Sequence, residues 1–152
     1  MTLADARPQP RQKRMPRRPA RDILAQAGLR PTRQRLALAD LLFRGDPRHV
    51  SVDSLYDEIS RRGAPGSLSC VYSSLRRFSD LGLLRRTLIY GETTYFDTQL
   101  DHHHHFYVVD EDRLMDVPKG QIAIDRMPTV PDGYDLVSVD VVVRVRRSSG
   151  RM

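Results

Sequence analysis

A single cysteine, Cys70, among 152 residues excludes an intramolecular disulfide and any multi-cysteine zinc site. No apolar run approaches the roughly 18–20 residues needed to span a bilayer. The N-terminus is rich in Arg and Pro and lacks the apolar stretch of a secretory signal. These absences point to a cytoplasmic protein with no membrane partner. No glycine-rich phosphate loop and no internal repeat occur, and no acid–base pair stands out as a positioned catalytic couple. Histidine is scarce except at one point: four of the five are consecutive, His102 to His105, and the fifth is His49.

The run lies between two strand-like segments, Thr93–Phe96 and Phe106–Val109. Neutral imidazole is a poor core filler but a good ligand for borderline ions such as Zn, Fe, Ni or Cu. A strand alternates its side chains, which puts His103 and His105 on one face and His102 and His104 on the other. Such neighbours have Cα atoms roughly 6.6–7 Å apart, close enough for two imidazoles to chelate one ion. A solvated loop is the plain alternative, and a purification tag fits an internal run poorly. Metal or haem binding is the stronger reading.

Charge divides unevenly along the chain. Residues 1–21 carry seven basic groups against Asp5, residues 22–96 eleven basic and eight acidic, and residues 97–152 seven basic and ten acidic. A basic arm on a basic N-terminal half, joined to an acidic C-terminal half, is the footprint of a nucleic-acid binder with a separate second module.

Residues 1–20, with four prolines and few apolar groups, read as a disordered basic arm. Helical patterns follow at Arg21–Ala27, at Pro31 to about Arg44 and from an N-cap at Ser51, each closed by a glycine. Leu38, Leu41 and Leu42 supply the second apolar face; Val52, Leu55, Tyr56 and Ile59 supply the third. A fourth helix, about Ser67 to Leu81, buries Leu68, Val71, Leu75 and Phe78 and turns Ser69, Ser73, Arg76 and Asp80 outward. A hairpin of Leu84–Ile89 and Thr93–Phe96 about Tyr90-Gly91-Glu92 comes next. Helices followed by a two-stranded ribbon are the order of a winged helix–turn–helix, with the fourth helix in the major groove. Its short polar face suits that role, and Tyr72, Ser73 and Arg76, with Ser69 and Arg77, are the expected base and phosphate contacts. Arg33 and Arg35 are expected near phosphates or a minor groove.

The C-terminal third is β-rich. Strands are expected from His103, over Leu114–Val117 and along the alternating Val137–Val145, with a short helix at Gly120–Met127. At about 55 residues this half is marginal alone, so pairing with a second copy is expected. The fold class is α+β. The divisions are the arm (1–20), a winged-helix DNA-binding domain (21–97), a small α/β dimerisation and sensing domain (98–147) and a tail (148–152).

Pro31-Thr-Arg-Gln-Arg35, His49-Val-Ser-Val-Asp-Ser-Leu-Tyr56 and Ser67-Leu-Ser-Cys-Val-Tyr-Ser-Ser-Leu75 stand in order, followed by Gly91, Tyr95-Phe96-Asp97 and the histidine run. This ordered set resembles the ferric uptake regulator family over residues 21 to 147. The His-rich run before Phe-Tyr, Asp116-Val-Pro118 and the ending Val139–Arg147 resemble its iron response regulator branch. The resemblance implies a homodimer that binds palindromic or near-palindromic duplex DNA and mainly represses iron and haem genes. It carries a hinge metal site onto His49, Asp97, His103 and His105, with one Fe²⁺, Zn²⁺ or Mn²⁺ per subunit, and haem onto His102, His103, His104 and His105. The family's Cys-x-x-Cys zinc pairs are absent, with Val108 and Glu111 in place of the first, so no structural zinc held by four cysteines is implied. The ligands of a further family site fall on Ala123 and about Val139, leaving only His102 and His104. No Cys-Pro haem motif exists, since Val71 follows Cys70. Two other readings stand beside this one: a small His/Asp metalloenzyme with an open site that activates water, and a metal- or haem-buffering protein without DNA affinity.

Overall fold

The computed structural model describes residues 18–89 and 93–150. Most of the expected arm (residues 1–17), the hairpin turn at 90–92 and the last two residues lie outside them.

Four helices open the fold: α1 (Ala20–Gln26), α2 (Arg33–Phe43), α3 (Val52–Arg61) and α4 (Leu68–Asp80). Three begin on a hydroxyl cap, because an N-cap oxygen satisfies a backbone N–H that the first turn leaves unpaired. Thr32 accepts from the Arg35 N–H and Ser67 from the Cys70 N–H. Ser51 and Ser54 cap reciprocally, with Ser in the place usually held by Glu. Gly66, at φ +137°, enters α4 where an added Cβ would fall 1.8 Å from Gln34 Nε2 on α2. The Gln34 side chain could swing aside, but the left-handed φ strains any L side chain there and favours glycine.

Leu24, Leu38, Leu42, Leu55, Leu75 and Phe78 are buried together between these helices. Each fully buried side chain of this size contributes roughly 1.5–3 kcal/mol. The buried set on α4 is Val71, Ser74, Leu75 and Phe78. Leu68, expected in that stripe, is 43% exposed. Every residue from 65 to 70 is exposed, so the first turn of α4 stands clear of the core and the i, i+3, i+4, i+7 spacing starts only at Val71.

The expected hairpin appears as β2 (Arg85–Leu88) and β3 (Thr94–Asp97), and a third strand, β1 (His49–Val50), joins its other side. The order is β1-β3-β2, all antiparallel. The second sheet is β5-β4-β6, from β4 (His105–Val108), β5 (Arg113–Asp116) and β6 (Val142–Val145). β5 runs antiparallel to β4, and β6 runs parallel to it.

Two C-terminal expectations are corrected. Gly120–Met127 forms no helix, and of the alternating valines only Val142–Val145 become a strand. Alternation licenses a strand but needs a ladder partner, and β4 offers one to residues 142–145 alone. Val137 is left 95% exposed.

A second apolar cluster, Ile89, Tyr95, Tyr107 and Leu114, packs the first sheet against the second. This contact brings the face of β3 that carries Tyr95 and Asp97 against the histidine-bearing face of β4.

Candidate metal centre

The two-residue strand β1 sets His49 directly opposite Asp97 in the β1–β3 ladder. In the other sheet His105 is the register partner of Asp116. Packing of the sheets unites the pairs. One donor atom from each of His49, Asp97, His103, His105 and Asp116 lies within 4.8 Å of every other.

His49 Nε2 is 3.1 Å from Asp97 Oδ2 and 2.9 Å from Asp116 Oδ1. His103 Nε2 is 2.9 Å and 3.1 Å from the same two oxygens. His105 Nε2 stands at 3.4 Å and 3.7 Å from them. Donors bound at roughly 2.1 Å to one ion are about 3–4 Å apart, close to the imidazole-to-carboxylate spacings found here.

Local hydrogen bonds aim the donors inward. His103 Nδ1–H donates to the Asp101 carbonyl at 2.7 Å, which leaves Nε2 as the free lone pair. The Gln99 N–H donates to Asp97 Oδ1 at 2.8 Å, which leaves Oδ2 for the cluster. Despite the short distances, the buried Nε2 atoms of His49 and His103 make no well-directed hydrogen bond. Orphaned buried nitrogens between carboxylates are what a ligand set looks like, and three imidazoles with two carboxylates suit a borderline divalent ion. The residues fit the group.

The electrostatics agree. Burial pushes the His49 pKa down, but the Asp97 and Asp116 carboxylates outweigh it and hold the value above the usual histidine one. Burial pushes Asp97 up, yet His105, His49 and the Gln99 N–H hold it well below the ordinary carboxylate range. The site is pre-charged for a cation.

The structure brings together the four residues expected at the hinge and adds Asp116. That residue lies in a segment expected as a strand, but its role depends on the β4–β5 register, which no local pattern discloses. His102 and His104 face the other way, with ring centroids 5.2 Å apart. His102 Nε2 donates to the Val139 carbonyl at 2.8 Å, and His104 Nδ1 accepts from the Val141 N–H at 3.2 Å.

Of the residues expected to touch DNA, Ser69, Tyr72, Ser73, Arg76 and Arg77 are exposed on α4. The Arg76 guanidinium sits 5.8 Å from the Tyr72 ring centre. Arg33 is exposed at the start of α2, whereas Arg35 is half-buried and donates to the Arg30 carbonyl at 3.3 Å. Among the described residues no helix is long and apolar enough to cross a membrane.

The sequence profile of the Ferric uptake regulator family matches residues 26–144. The ferric uptake regulation protein of Shigella flexneri is 33% identical over 108 residues, covering 66% of this chain and 73% of that one. Its counterpart in Escherichia coli K12 is 35% identical over 88 residues, 57% of this chain and 60% of that one. The one from Pseudomonas aeruginosa is 28% identical over 126 residues, or 82% and 94%. Among solved structures, the ferric uptake regulator of Vibrio cholerae superposes with a TM-score of 0.62 at 21% identity, covering 83% of this chain and 98% of its own. That of Pseudomonas aeruginosa with manganese gives 0.59 at 22%, with 86% and 98% covered. At these identities the structural likeness establishes the fold: winged-helix domain first, second sheet domain after it. With the profile over residues 26–144, it follows that the chain belongs to the ferric uptake regulator family, whose members are metal-responsive transcription regulators and not enzymes.

Proposed function

We propose that this chain is an iron- or haem-responsive repressor of iron and haem metabolism genes, binding a near-palindromic operator as a homodimer. The observation that carries the reading is the five-residue cluster built from both parts of the chain, with two orphaned buried nitrogens at its centre. His49 and Asp97 come from the winged-helix part, residues 21–97; His103, His105 and Asp116 come from the sensing part, residues 98–147. One Fe²⁺, Zn²⁺ or Mn²⁺ per subunit, when bound there, supplies a cross-link between the two. The protein's residues do the rest: Arg48, beside His49, grips Glu58 of α3 with two hydrogen bonds of 3.2 and 2.8 Å. A constraint on His49 therefore reaches the helix that packs on α4.

Dimerisation is supported by apolar surface left open in residues 124–143, where Tyr134, Leu136 and Val137 are 74%, 59% and 95% exposed. A second copy covering this stretch would remove a patch that solitary soluble domains seldom display. DNA binding is supported by the polar face of α4 and by the +6 net charge.

Haem is the second reading. His102 supports it, since its side chain is 48% exposed and its ring stands outside the carboxylate cluster. It borders a hollow of about 150 Å³ shared with His104, Val117, Pro118 and Ile122. The hollow is too small to enclose a porphyrin, so haemin would lie over its mouth against His102, beside the hinge, and is expected to lower DNA affinity.

The test is titration of the purified protein with Fe²⁺, Zn²⁺, Mn²⁺ and haemin, following absorbance and affinity for operator DNA together. A ligand that binds stoichiometrically and changes DNA affinity supports the reading; binding of none of the four defeats it.

A further inference from the structure

Asp112 lies in the turn between β4 and β5, and its φ is +43°, the sole positive value at a non-glycine residue among those described. An L side chain reaches this left-handed region at a cost, although Asp and Asn tolerate it better than most. What Asp112 gains there is visible in its contacts. The Tyr95 hydroxyl reaches its Oδ1 at 2.5 Å and its carbonyl at 2.6 Å. The Tyr107 hydroxyl donates to Oδ1 at 3.0 Å, and Thr93 Oγ1 donates to Oδ2 at 3.2 Å. Thr93 and Tyr95 belong to the winged-helix part; Tyr107 lies on β4 of the second sheet and Asp112 in the turn that joins β4 to β5. The carboxylate thus spans the same boundary as the metal centre.

Its placement relative to that centre is regular. On β3 Tyr95 is two residues from Asp97, on β4 Tyr107 is two from His105, and on β5 Leu114 is two from Asp116. Side chains two apart on a strand share a face. Three strands therefore each present one ligand and one residue of the apolar cluster Ile89, Tyr95, Tyr107 and Leu114. The order along this face is ligand cluster, apolar layer, then the Asp112 carboxylate.

We propose that Asp112 is a positioning residue for the metal centre. By holding Tyr95 to Tyr107 across the boundary, it sets how far Asp97 stands from His103, His105 and Asp116 before an ion arrives. This rests on the metal reading above. The residue touches no ligand, and it acts through two tyrosines on the strands that carry the ligands.

Two substitutions isolate the carboxylate from the backbone, because Gly and Asn both accept the left-handed conformation. Asp112→Gly removes the carboxylate and leaves only the main-chain carbonyl that Tyr95 also reaches, so the tie to Tyr107 is lost; Asp112→Asn keeps an amide oxygen for both tyrosine hydroxyls. Each full-length variant and the parent is titrated with Co²⁺ under a competing chelator, recording affinity and the visible d–d spectrum. The thermal transition of the metal-free proteins is followed in parallel. The expected result is Co²⁺ affinity lowered by at most roughly tenfold in Asp112→Gly, the low end of what loss of a group bonded directly to a ligand costs, with altered band positions. Asp112→Asn should restore most of the affinity and the parental spectrum, whether or not the thermal transitions differ. A glycine variant with the parent's affinity and bands overturns the positioning role, as does an asparagine variant no better than glycine. A parent that binds no Co²⁺ defeats the metal reading itself, a separate and recognisable failure.

Discussion

His49 and Asp97 are register partners in a ladder only two residues long, and the imidazole Nε2 stands 3.1 Å from the carboxylate Oδ2. Neither residue could form half of a metal site from its own neighbourhood. The β1–β3 pair joins them, and packing of β3 on β4 and β5 adds His103, His105 and Asp116.

His103→Ala should lose metal binding and ligand-dependent DNA affinity while keeping the fold, since the buried apolar clusters do not depend on this side chain. Asp116→Ala, at the exposed edge of the site, should bind metal more weakly than the parent but more tightly than His103→Ala. Affinity of the parent should fall with falling pH, and the fall should begin above roughly 6.5, the ordinary histidine value, because imidazole must be neutral to ligate and the Asp97 and Asp116 carboxylates hold the His49 proton above that value. Chelator-competition titrations between pH 5.5 and 8 read all three, and parental affinity in His103→Ala would place the sensor elsewhere.

Arg76→Ala should cost roughly 1–3 kcal/mol of cognate operator affinity and much less on unrelated duplexes, as for a base-contacting Arg. Tyr72→Phe is expected to keep the ring beneath Arg76 and so to bind more nearly like the parent. Fluorescence anisotropy on cognate and scrambled DNA separates the two classes of loss. Equal weakening on both sequences would make Arg76 a phosphate contact.

Removal of residues 1–20 should weaken binding on every sequence alike and flatten its dependence on salt. Seven basic groups against Asp5 lie in residues 1–21, so most of the net charge of +6 goes with the deletion. Each phosphate neutralised adds close to one unit to the slope of log K against log salt. Equal slopes for full-length and shortened protein would remove the arm from the interface.

Glu58 takes both guanidinium hydrogen bonds of Arg48, and Arg62 lies at 3.4 Å. The Arg48 hydrogen bonds, opposed by partial burial, hold its pKa below the usual glutamate value. A depressed carboxylate stabilises the fold above its unfolded pKa, roughly 4.3, and that contribution is lost as pH falls through the folded value. Glu58→Gln should therefore lower the thermal midpoint at pH 7 and leave it closer to the parent's near pH 3.5. A constant difference across that range would mean that charge is not what Glu58 contributes.

Much of the architecture was legible locally. The cap at Ser51, the starts near Pro31 and Ser67 and the 3.6-residue spacing of Leu, Val and Ile mark three helices, because capping and amphipathicity are matters of neighbours within one turn. The hairpin and the alternation of the histidine run are equally local, with a period of two. Leu68 and Gly120–Met127 misled for the opposite reason: their patterns are genuine, but whether a face is buried or a turn closes depends on what packs against it.

By itself the sequence determined which residues carry imidazole, carboxylate and guanidinium, and which stretches can be helix or strand. Tertiary structure alone decided that β1 exists, that Asp116 joins the histidines, and that Asp112 holds two tyrosines across the boundary. A ligand set drawn from positions 49, 97, 103, 105 and 116 has no period for a sequence to display. Its geometry comes from strand register and the packing of two sheets, which are set by cooperative burial over the whole chain rather than by any one segment.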